Sequence, residues 1–396
     1  MKKEPIWTKS FISLFFTNIS VFIVFYGLIS ALPLYAIGVL KRTDQEAGLL
    51  ISIFLLSAVF IRPFTGKILD IVGKRKMLWI SLGLYLLCTV LYYFIHAFEA
   101  LLVLRFVQGV GFSIITTAAV SLAADIVPVA RKGAGLGYFT MSTNLAVVLG
   151  PLIALSIIQT FSFDVLFFVL SILMVIGVVT SGLIPAGTLP EKTVGKNKLS
   201  IGDLFEKKAM PIALLGSLVG LAYASVLSYL TIYAQEKGFL ALTSTFFIVF
   251  ATVMLLTRPL IGRLYDEKGP QYVLIPGFLT FAIGLILLAY MDSALVFLIA
   301  GGFVGFGYGA LFTSFQTLSV QSTTPERSGY ATATFFTFYD SGLALGSYVL
   351  GIIALRFGYQ NVYLLAAFLA VIVFIIYVAK GRKRKNQRLA SEGSVG

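Results

Sequence analysis

Long hydrophobic runs dominate the chain, and short polar intervals separate them. Each run reaches the length of about 20 apolar residues that a helix needs to cross the hydrocarbon core of a bilayer. The runs are too long for transmembrane strands and show no alternation of polar and apolar residues. Lipid offers the backbone no hydrogen-bonding partner, so each run is predicted to form a helix. Twelve spans are predicted, at about 11–33, 47–66, 77–97, 100–123, 134–158, 163–185, 209–232, 241–262, 272–291, 294–318, 329–354 and 359–379.

The composition also indicates a membrane protein. Hydrophobic residues make up 58% of the chain and charged residues 12%, whereas soluble domains carry roughly 45–50% apolar and about 25% charged residues. The net charge of +13 is interpreted as an orientation signal and not as a sign of nucleic-acid binding, because most cations fall on one side of the predicted spans. The positive-inside rule then places both termini in the cytoplasm of an integral cell-membrane protein.

The second half of the chain repeats polar landmarks of the first half, 196 positions further on. A repeat of six spans keeps its orientation in the membrane, so the halves are related by an axis along the membrane normal. The predicted fold is an all-α integral membrane protein, with twelve transmembrane helices in two parallel-repeat six-helix halves. Arg62 and Arg258, near the inner ends of spans two and eight, are predicted to snorkel to the membrane interface. The repeated residues are Arg62, Pro63, Gly66, Asp70, Gly73 and Gly109, which recur as Arg258, Pro259, Gly262, Asp266, Gly269 and Gly305.

The longest polar interval between spans divides the chain into domains. Residues 1–185 are predicted to form the N-terminal six-helix half, and residues 186–208 a cytoplasmic central linker. Residues 209–380 form the predicted C-terminal half, and residues 381–396 a basic cytoplasmic tail. This architecture is typical of a secondary transporter with a site between the halves, near the membrane midplane.

Four segments resemble motifs of the major facilitator superfamily and, within it, of the twelve-span drug:proton antiporters. "GKILDIVGKRK" (66–76) is similar to the signature loop between spans two and three, and "LLVLRFVQGVGFS" (101–113) resembles the span-four motif. "GLISALPLY" (27–35) resembles the span-one pattern. "GYFTMSTNLAVVLGP" (137–151) resembles the span-five antiporter motif, although Ala146 and Ala154 replace two expected glycines. The resemblance covers nearly the whole chain and implies the major facilitator fold and, through span five, export.

The first of these segments is predicted to act as a conformational latch. Its glycines permit close helix approach and a tight turn, and its aspartate can face cations or a helix N-terminus. The resemblance implies that this aspartate docks near the start of span eleven and stabilises the outward-facing state. The alternative is that the cations only fix topology, which leaves the acid and the glycines unexplained. The predicted latch residues are Gly66, Asp70, Gly73, Lys74, Arg75 and Asp125.

Two ionisable residues inside the spans are candidates for coupling transport to protons. Asp340 lies about 16 Å along span eleven at 1.5 Å per residue, where burial favours its neutral form; it could carry a proton, pair with a cationic substrate, or form a fixed structural pair. Arg105 lies in the apolar part of span four. The resemblance implies a role for it in proton transfer or in tuning a nearby carboxylate, and the alternative is a structural arginine held by span-one carbonyls and Gln108. The predicted coupling residues are Asp340, Arg105, Gln108 and Asn144, the last being the repeat partner of the aspartate.

Glycine, proline and aromatic residues complete the predicted site. An antiporter-type kink is predicted in span five, at Gly137, Gly150 and Pro151. Aromatic residues make up 14% of the chain, and some are expected to line a cavity that suits amphipathic compounds. The alternative is that they fill lipid-facing and packing positions. The candidate cavity aromatics are Tyr26, Tyr35, Tyr138, Tyr223 and Tyr339.

The predicted function is a secondary active transporter that works by alternating access and exports hydrophobic or cationic small molecules in exchange for protons. No enzymatic activity and no cofactor is expected, since the proton gradient supplies the energy and one His and one Cys leave few metal ligands. The expected partners are a small-molecule substrate, protons and membrane lipids, without nucleic acid, and the chain is expected to be a monomer. Two alternatives are a proton-coupled transporter of one metabolite, sugar or lipid, and a membrane sensor or scaffold on a transporter fold.

Overall fold

The computed structural model describes residues 5–184 and 204–392, and these form a nearly all-helical chain. Within those ranges lie twelve α-helices, of which eleven are long and apolar enough to cross a membrane. The exception, α3, is 18 residues long and begins with three cations. The predicted all-α membrane fold is therefore confirmed. The helices are α1 (Lys9–Gly38), α2 (Asp44–Val72), α3 (Lys74–Leu91), α4 (Phe98–Ile126), α5 (Lys132–Thr160), α6 (Phe163–Gly182), α7 (Met210–Glu236), α8 (Thr243–Lys268), α9 (Gln271–Ala289), α10 (Ala294–Gln321), α11 (Ser328–Phe357) and α12 (Tyr359–Glu392).

Local sequence signals fix both ends of α2. The Thr43 side chain accepts a hydrogen bond from the Glu46 backbone N–H, and the Glu46 carboxylate accepts one from the Thr43 N–H, a reciprocal cap that satisfies two free donors. The helix ends at Gly73, whose φ is +94°, a backbone conformation that glycine adopts without a Cβ clash. Gly269 ends α8 with a φ of +96°. The repeated glycines therefore make the same turn in both halves of the chain.

Two other repeated glycines allow close helix packing. Gly109 of α4 faces the Phe54 carbonyl of α2, and Gly305 of α10 faces the Phe250 carbonyl of α8. A Cβ on either glycine would collide with the facing carbonyl. Each contact pair is related to the other by the same shift of 196 positions, so the repeat in the sequence is also a repeat of helix contacts.

The chain forms two compact units. The first comprises Met1–Met210 and Thr317–Thr337, and the second comprises Pro211–Gln316 and Phe338–Gly396. We call Thr317–Thr337, the end of α10 and the beginning of α11, the α11 entry segment. The predicted domain boundaries stay predictions, and residues 186–203 of the predicted linker and 393–396 of the predicted tail lie outside the described residues.

Candidate functional site

The C-terminal part of α2 lies against the α11 entry segment, inside the first unit. Gly66 packs on Tyr330 so closely that a Cβ would come within 2.9 Å of the tyrosine Cα. The Tyr330 hydroxyl donates a hydrogen bond to Asp70 Oδ2 at 3.0 Å. The end of α2 therefore touches the beginning of α11 through a tyrosine that no sequence motif had marked.

Lys74 and Asp125 form an ion pair that also holds Ser328 at the beginning of α11. Lys74 Nζ lies 2.5 Å from Asp125 Oδ2 and donates to Ser328 Oγ at 2.6 Å. Ser328 donates to Asp125 Oδ1 at 3.1 Å and hydrogen-bonds Ser121 Oγ at 3.0 Å. The two charged side chains are only 19% and 8% exposed, so salt screens this pair less than a surface pair. Helices α3, α4 and α11 are joined at this point.

Two other predicted latch residues stand outside the ion pair. Arg75 donates from Nη2 to the Ile184 carbonyl at 2.7 Å, which ties α3 to the chain that follows α6. Gly73 is exposed and serves the turn described above. The predicted latch set thus contains a charged cluster, a turn glycine and a separate anchor.

A second ion pair holds the α11 entry segment, and it involves Glu206, near the end of the predicted central linker. Glu206 is 5% exposed, and its carboxylate pairs with Arg327 Nε. Its backbone N–H donates to Thr334 Oγ1 at 2.9 Å. The Arg327 guanidinium lies 4.5 Å from the centre of the Tyr330 ring, the same tyrosine that binds Asp70. No motif or repeat marks Glu206 in the sequence, so its partners appear only in the folded chain.

Arg105 is fully buried in α4 and is held within the first unit. Its Nε donates to the Leu50 carbonyl of α2 at 2.9 Å, and its Nη1 donates to Gln108 Oε1 at 3.0 Å. Its guanidinium lies 4.2 Å from the centre of the Phe54 ring, and the Tyr92 hydroxyl also donates to Gln108 Oε1. Among the described residues no carboxylate pairs with Arg105. The carbonyl that accepts from Arg105 belongs to α2. The prediction of a purely structural arginine had expected carbonyls of span one instead.

The remaining coupling candidates lie on α5 and α11. Asn144 is 6% exposed, and its Nδ2 has no hydrogen-bond partner in the described part of the chain. Asp340 is half-buried and belongs to the second unit. Of the four predicted coupling residues, the structure brings Arg105 and Gln108 into direct contact.

The span-five glycines differ sharply in their surroundings. Helix α5 continues without interruption through Pro151. A Cβ on Gly150 would come within 2.7 Å of Tyr26 Cβ and 3.0 Å of Gly27 N on α1, whereas no atom lies within 4 Å of the position that a Cβ on Gly137 would take. Gly150 is therefore required for the packing of α5 on α1, and the predicted kink stays a prediction.

Two of the predicted cavity aromatics belong to an aromatic cluster in the second unit. The rings of Tyr223 and Tyr308 stack with centroids 3.7 Å apart, and the Tyr308 and Tyr339 hydroxyls hydrogen-bond at 2.6 Å. Phe250 and Phe312 pack on the same rings, at 6.0 Å from Tyr308 and 4.9 Å from Tyr339. We call these five residues the second-unit aromatic cluster.

The other three aromatics lie in the first unit. Tyr26 packs against neighbouring phenylalanines of α1, and Tyr138 packs against Trp7 with ring centroids 5.4 Å apart. Tyr35 is only 3% exposed, and its hydroxyl hydrogen-bonds His96 Nδ1 at 3.1 Å. Tyr35 is therefore part of the packed interior of this unit.

The prediction that Arg62 and Arg258 snorkel to the interface is wrong. Their side chains are 5% and 2% exposed. Arg62 lies 4.7 Å from the centre of the Phe336 ring, and Arg258 donates to the Gly309 carbonyl of α10 at 3.0 Å. The rotation of α2 and α8 turns both side chains toward other helices, and depth along a helix does not reveal that rotation.

A family model described as the Major Facilitator Superfamily matches residues 14–340 and 241–395. Multidrug resistance protein MdtG of Dickeya zeae (strain Ech586) is 24% identical over 356 residues, which are 87% of this chain and 87% of that protein. Quinolone resistance protein NorA of Staphylococcus aureus (strain Mu50 / ATCC 700699) is 30% identical over 141 residues, which are 35% of this chain and 36% of that protein.

Two crystal structures resemble the chain as a whole. The human organic anion transporter MFSD10 (TETRAN) superposes with a TM-score of 0.81 at 14% identity, covering 94% of this chain and 99% of that one. A bacterial homologue of the iron transporter ferroportin, in its outward-facing state, superposes with a TM-score of 0.75 at 17% identity, covering 93% and 99%. At these identities the likeness establishes the fold alone.

Proposed function

Since the chain belongs to the major facilitator superfamily and is an integral membrane transporter, we propose that it exports hydrophobic or cationic small molecules in exchange for protons. The observation that carries this proposal is the similarity, along most of both chains, to a protein named for multidrug resistance. Asp340 supports the coupling, because a half-buried carboxyl within an apolar helix can take up and release a proton. The transporter works by alternating access, with the proton gradient as its energy source.

The contacts of the α11 entry segment support a gating role in this cycle. The pairs Lys74–Asp125 and Glu206–Arg327 hold the segment at the predicted cytoplasmic end of the first unit. Each pair has a buried carboxylate, and the cost of removing its charges from water offsets much of their attraction, so such contacts can form and break in every cycle. We therefore assign them as the latch that closes this end and opens it again.

Gradient-driven dye movement tests the proposed function. We expect everted vesicles that contain the protein to accumulate ethidium and Hoechst dye when a pH gradient is imposed, since proton flow would drive export of cationic compounds. Dye fluorescence is the measurement, and collapse of the gradient by an uncoupler should release the dye.

Vesicles without the protein are the control for passive dye uptake. If vesicles with the protein accumulate neither dye at verified expression, the multidrug function is rejected. A transporter of one specific metabolite, sugar or lipid then becomes the better assignment.

Asp125→Asn is expected to weaken the latch. The substitution removes the charge that Lys74 neutralises, so the closed arrangement should lose about 1.4 kcal/mol, which is about tenfold in its population relative to the open one. Because Ser121 is fully buried beside Ser328, Ser121→Cys, made in a Cys88→Ser background, reports the opening. Its rate of alkylation by a membrane-impermeant maleimide in everted vesicles should rise by about the same factor.

Lys76→Gln is the matched control for this experiment. Lys76 is an exposed cation two residues from Lys74, and its loss should leave the alkylation rate unchanged. An Asp125→Asn protein that is alkylated as slowly as its parent would show that the ion pair plays no part in gating.

A further inference from the structure

Arg258 places a positive charge in the buried interior of the second unit. Its side chain is 2% exposed, and it packs against α10 through hydrogen bonds. A charge buried in the interior of a membrane protein is costly unless it is paired, and it marks a functional position by default.

The hydrogen bonds of Arg258 leave part of its guanidinium unused. Nη1 donates to the Gly309 carbonyl and to Thr313 Oγ1, both on α10. Nε is buried and has no hydrogen-bond partner in the described part of the chain. No carboxylate among the described residues forms an ion pair with Arg258. A neutral carbonyl and a hydroxyl therefore hold the full charge.

The two other buried arginines in the described part of the chain, Arg62 and Arg105, each lie against an aromatic ring. Arg105 packs over the Phe54 ring and shares Gln108 with Tyr92. Arg62, the repeat counterpart of Arg258, lies over an aromatic ring. An aromatic face attracts a cation and partly replaces a counter-ion. Within the described residues, Arg258 has no such ring above it.

The surroundings of Arg258 suit the apolar part of a ligand. Gly309, whose carbonyl it binds, follows Tyr308 of the second-unit aromatic cluster. Met254, one turn before Arg258 on α8, lies so close to Gly309 that a Cβ there would be 2.7 Å from the methionine Cγ. A flexible thioether can adapt to different ligand shapes. A buried donor thus lies near a flexible apolar side chain, on the same two helices that carry Phe250 and Tyr308 of the second-unit aromatic cluster.

We propose that Arg258 binds the anionic group of an amphipathic substrate, so that the transporter accepts aromatic organic acids in addition to hydrophobic and cationic compounds. The inference rests on the proposed export function. A carboxylate would supply the acceptor that Nε lacks and the counter-charge that no carboxylate among the described residues provides, and charge-assisted hydrogen bonds of this kind are strong. The aromatic part of the substrate would lie toward the second-unit aromatic cluster.

A pair of matched dyes tests this inference. Rhodamine 19 carries a free carboxyl group, and rhodamine 6G is its ethyl ester. Binding of each dye to the purified, full-length protein is measured by fluorescence anisotropy without a proton gradient. We expect Arg258→Gln to weaken binding of the acid by about tenfold and to leave binding of the ester within twofold of wild type. Arg258→Lys, which keeps the charge, should retain part of the preference for the acid.

Arg263→Gln is the control, because Arg263 lies on the same helix but is exposed, and its loss should change neither affinity. The ratio of acid to ester affinity is compared within each protein sample, so a smaller folded fraction does not alter it. An unchanged ratio in Arg258→Gln overturns the inference, as does an equal loss of both affinities. A wild-type protein that binds the acid through Arg258 but accumulates no dye on a gradient would reject the export function and leave this binding site standing.

Discussion

In everted vesicles, Asp340→Asn is expected to reduce gradient-driven dye accumulation to the level of vesicles without the protein. Asparagine keeps the shape of the side chain but cannot take up or release a proton, so the proton gradient can no longer drive transport. Dye exchange without a gradient should continue, because the variant can still bind dye and change conformation. Comparing the two assays at equal expression separates loss of coupling from loss of folding.

Asp292→Asn is the matched control for this prediction. Asp292 is an exposed acid that follows α9 in the same unit, and its neutralisation should leave both assays unchanged. If Asp340→Asn accumulates dye as well as wild type, the acid is structural. The coupling group must then be sought elsewhere, first at Arg105.

Gly150→Ala is expected to destabilise the first unit by about 1–3 kcal/mol, the usual cost of overpacking. The new methyl group would meet Tyr26 Cβ and the backbone of Gly27, and backbone atoms cannot move aside unless α5 separates from α1. The melting temperature of the purified protein in detergent is the measurement, and dye transport should fall with it.

Gly137→Ala provides the internal comparison, since both glycines belong to the same span-five motif. No atom lies within 4 Å of the position of its new methyl group, and alanine favours a helix over glycine by roughly 0.5–1 kcal/mol. We expect its melting temperature to equal or exceed that of wild type. Equal losses in the two variants would mean that the motif acts through helix flexibility and not through the contact with α1.

Part of the latch could be predicted from the sequence and part could not. Lys74 and Asp125 were both predicted as latch residues, and they form a close ion pair. Tyr330 and Glu206 carry contacts of the same kind, yet they are ordinary residues in their local sequence. Their positions follow from the packing of distant segments, so local spacing and motifs do not reveal them.

The buried arginines show a different limit. Arg62 and Arg258 were predicted to reach the membrane interface, but both side chains are buried against other helices. Hydropathy reports how deep a residue lies, because lipid and protein interior both exclude water. For the same reason it barely distinguishes the lipid-facing side of a helix from the side that packs on other helices.

By itself, the sequence determined that the chain crosses a membrane as helices, because a long apolar segment in lipid can satisfy its backbone only within itself. It also determined the internal repeat, since the recurring glycines mark places where the backbone adopts a positive φ or where two helices approach too closely for a side chain. Only the tertiary structure decided which partners the charged residues find. Helix rotation and the docking of the α11 entry segment depend on side-chain packing along the whole interface, and no short stretch of sequence contains that information.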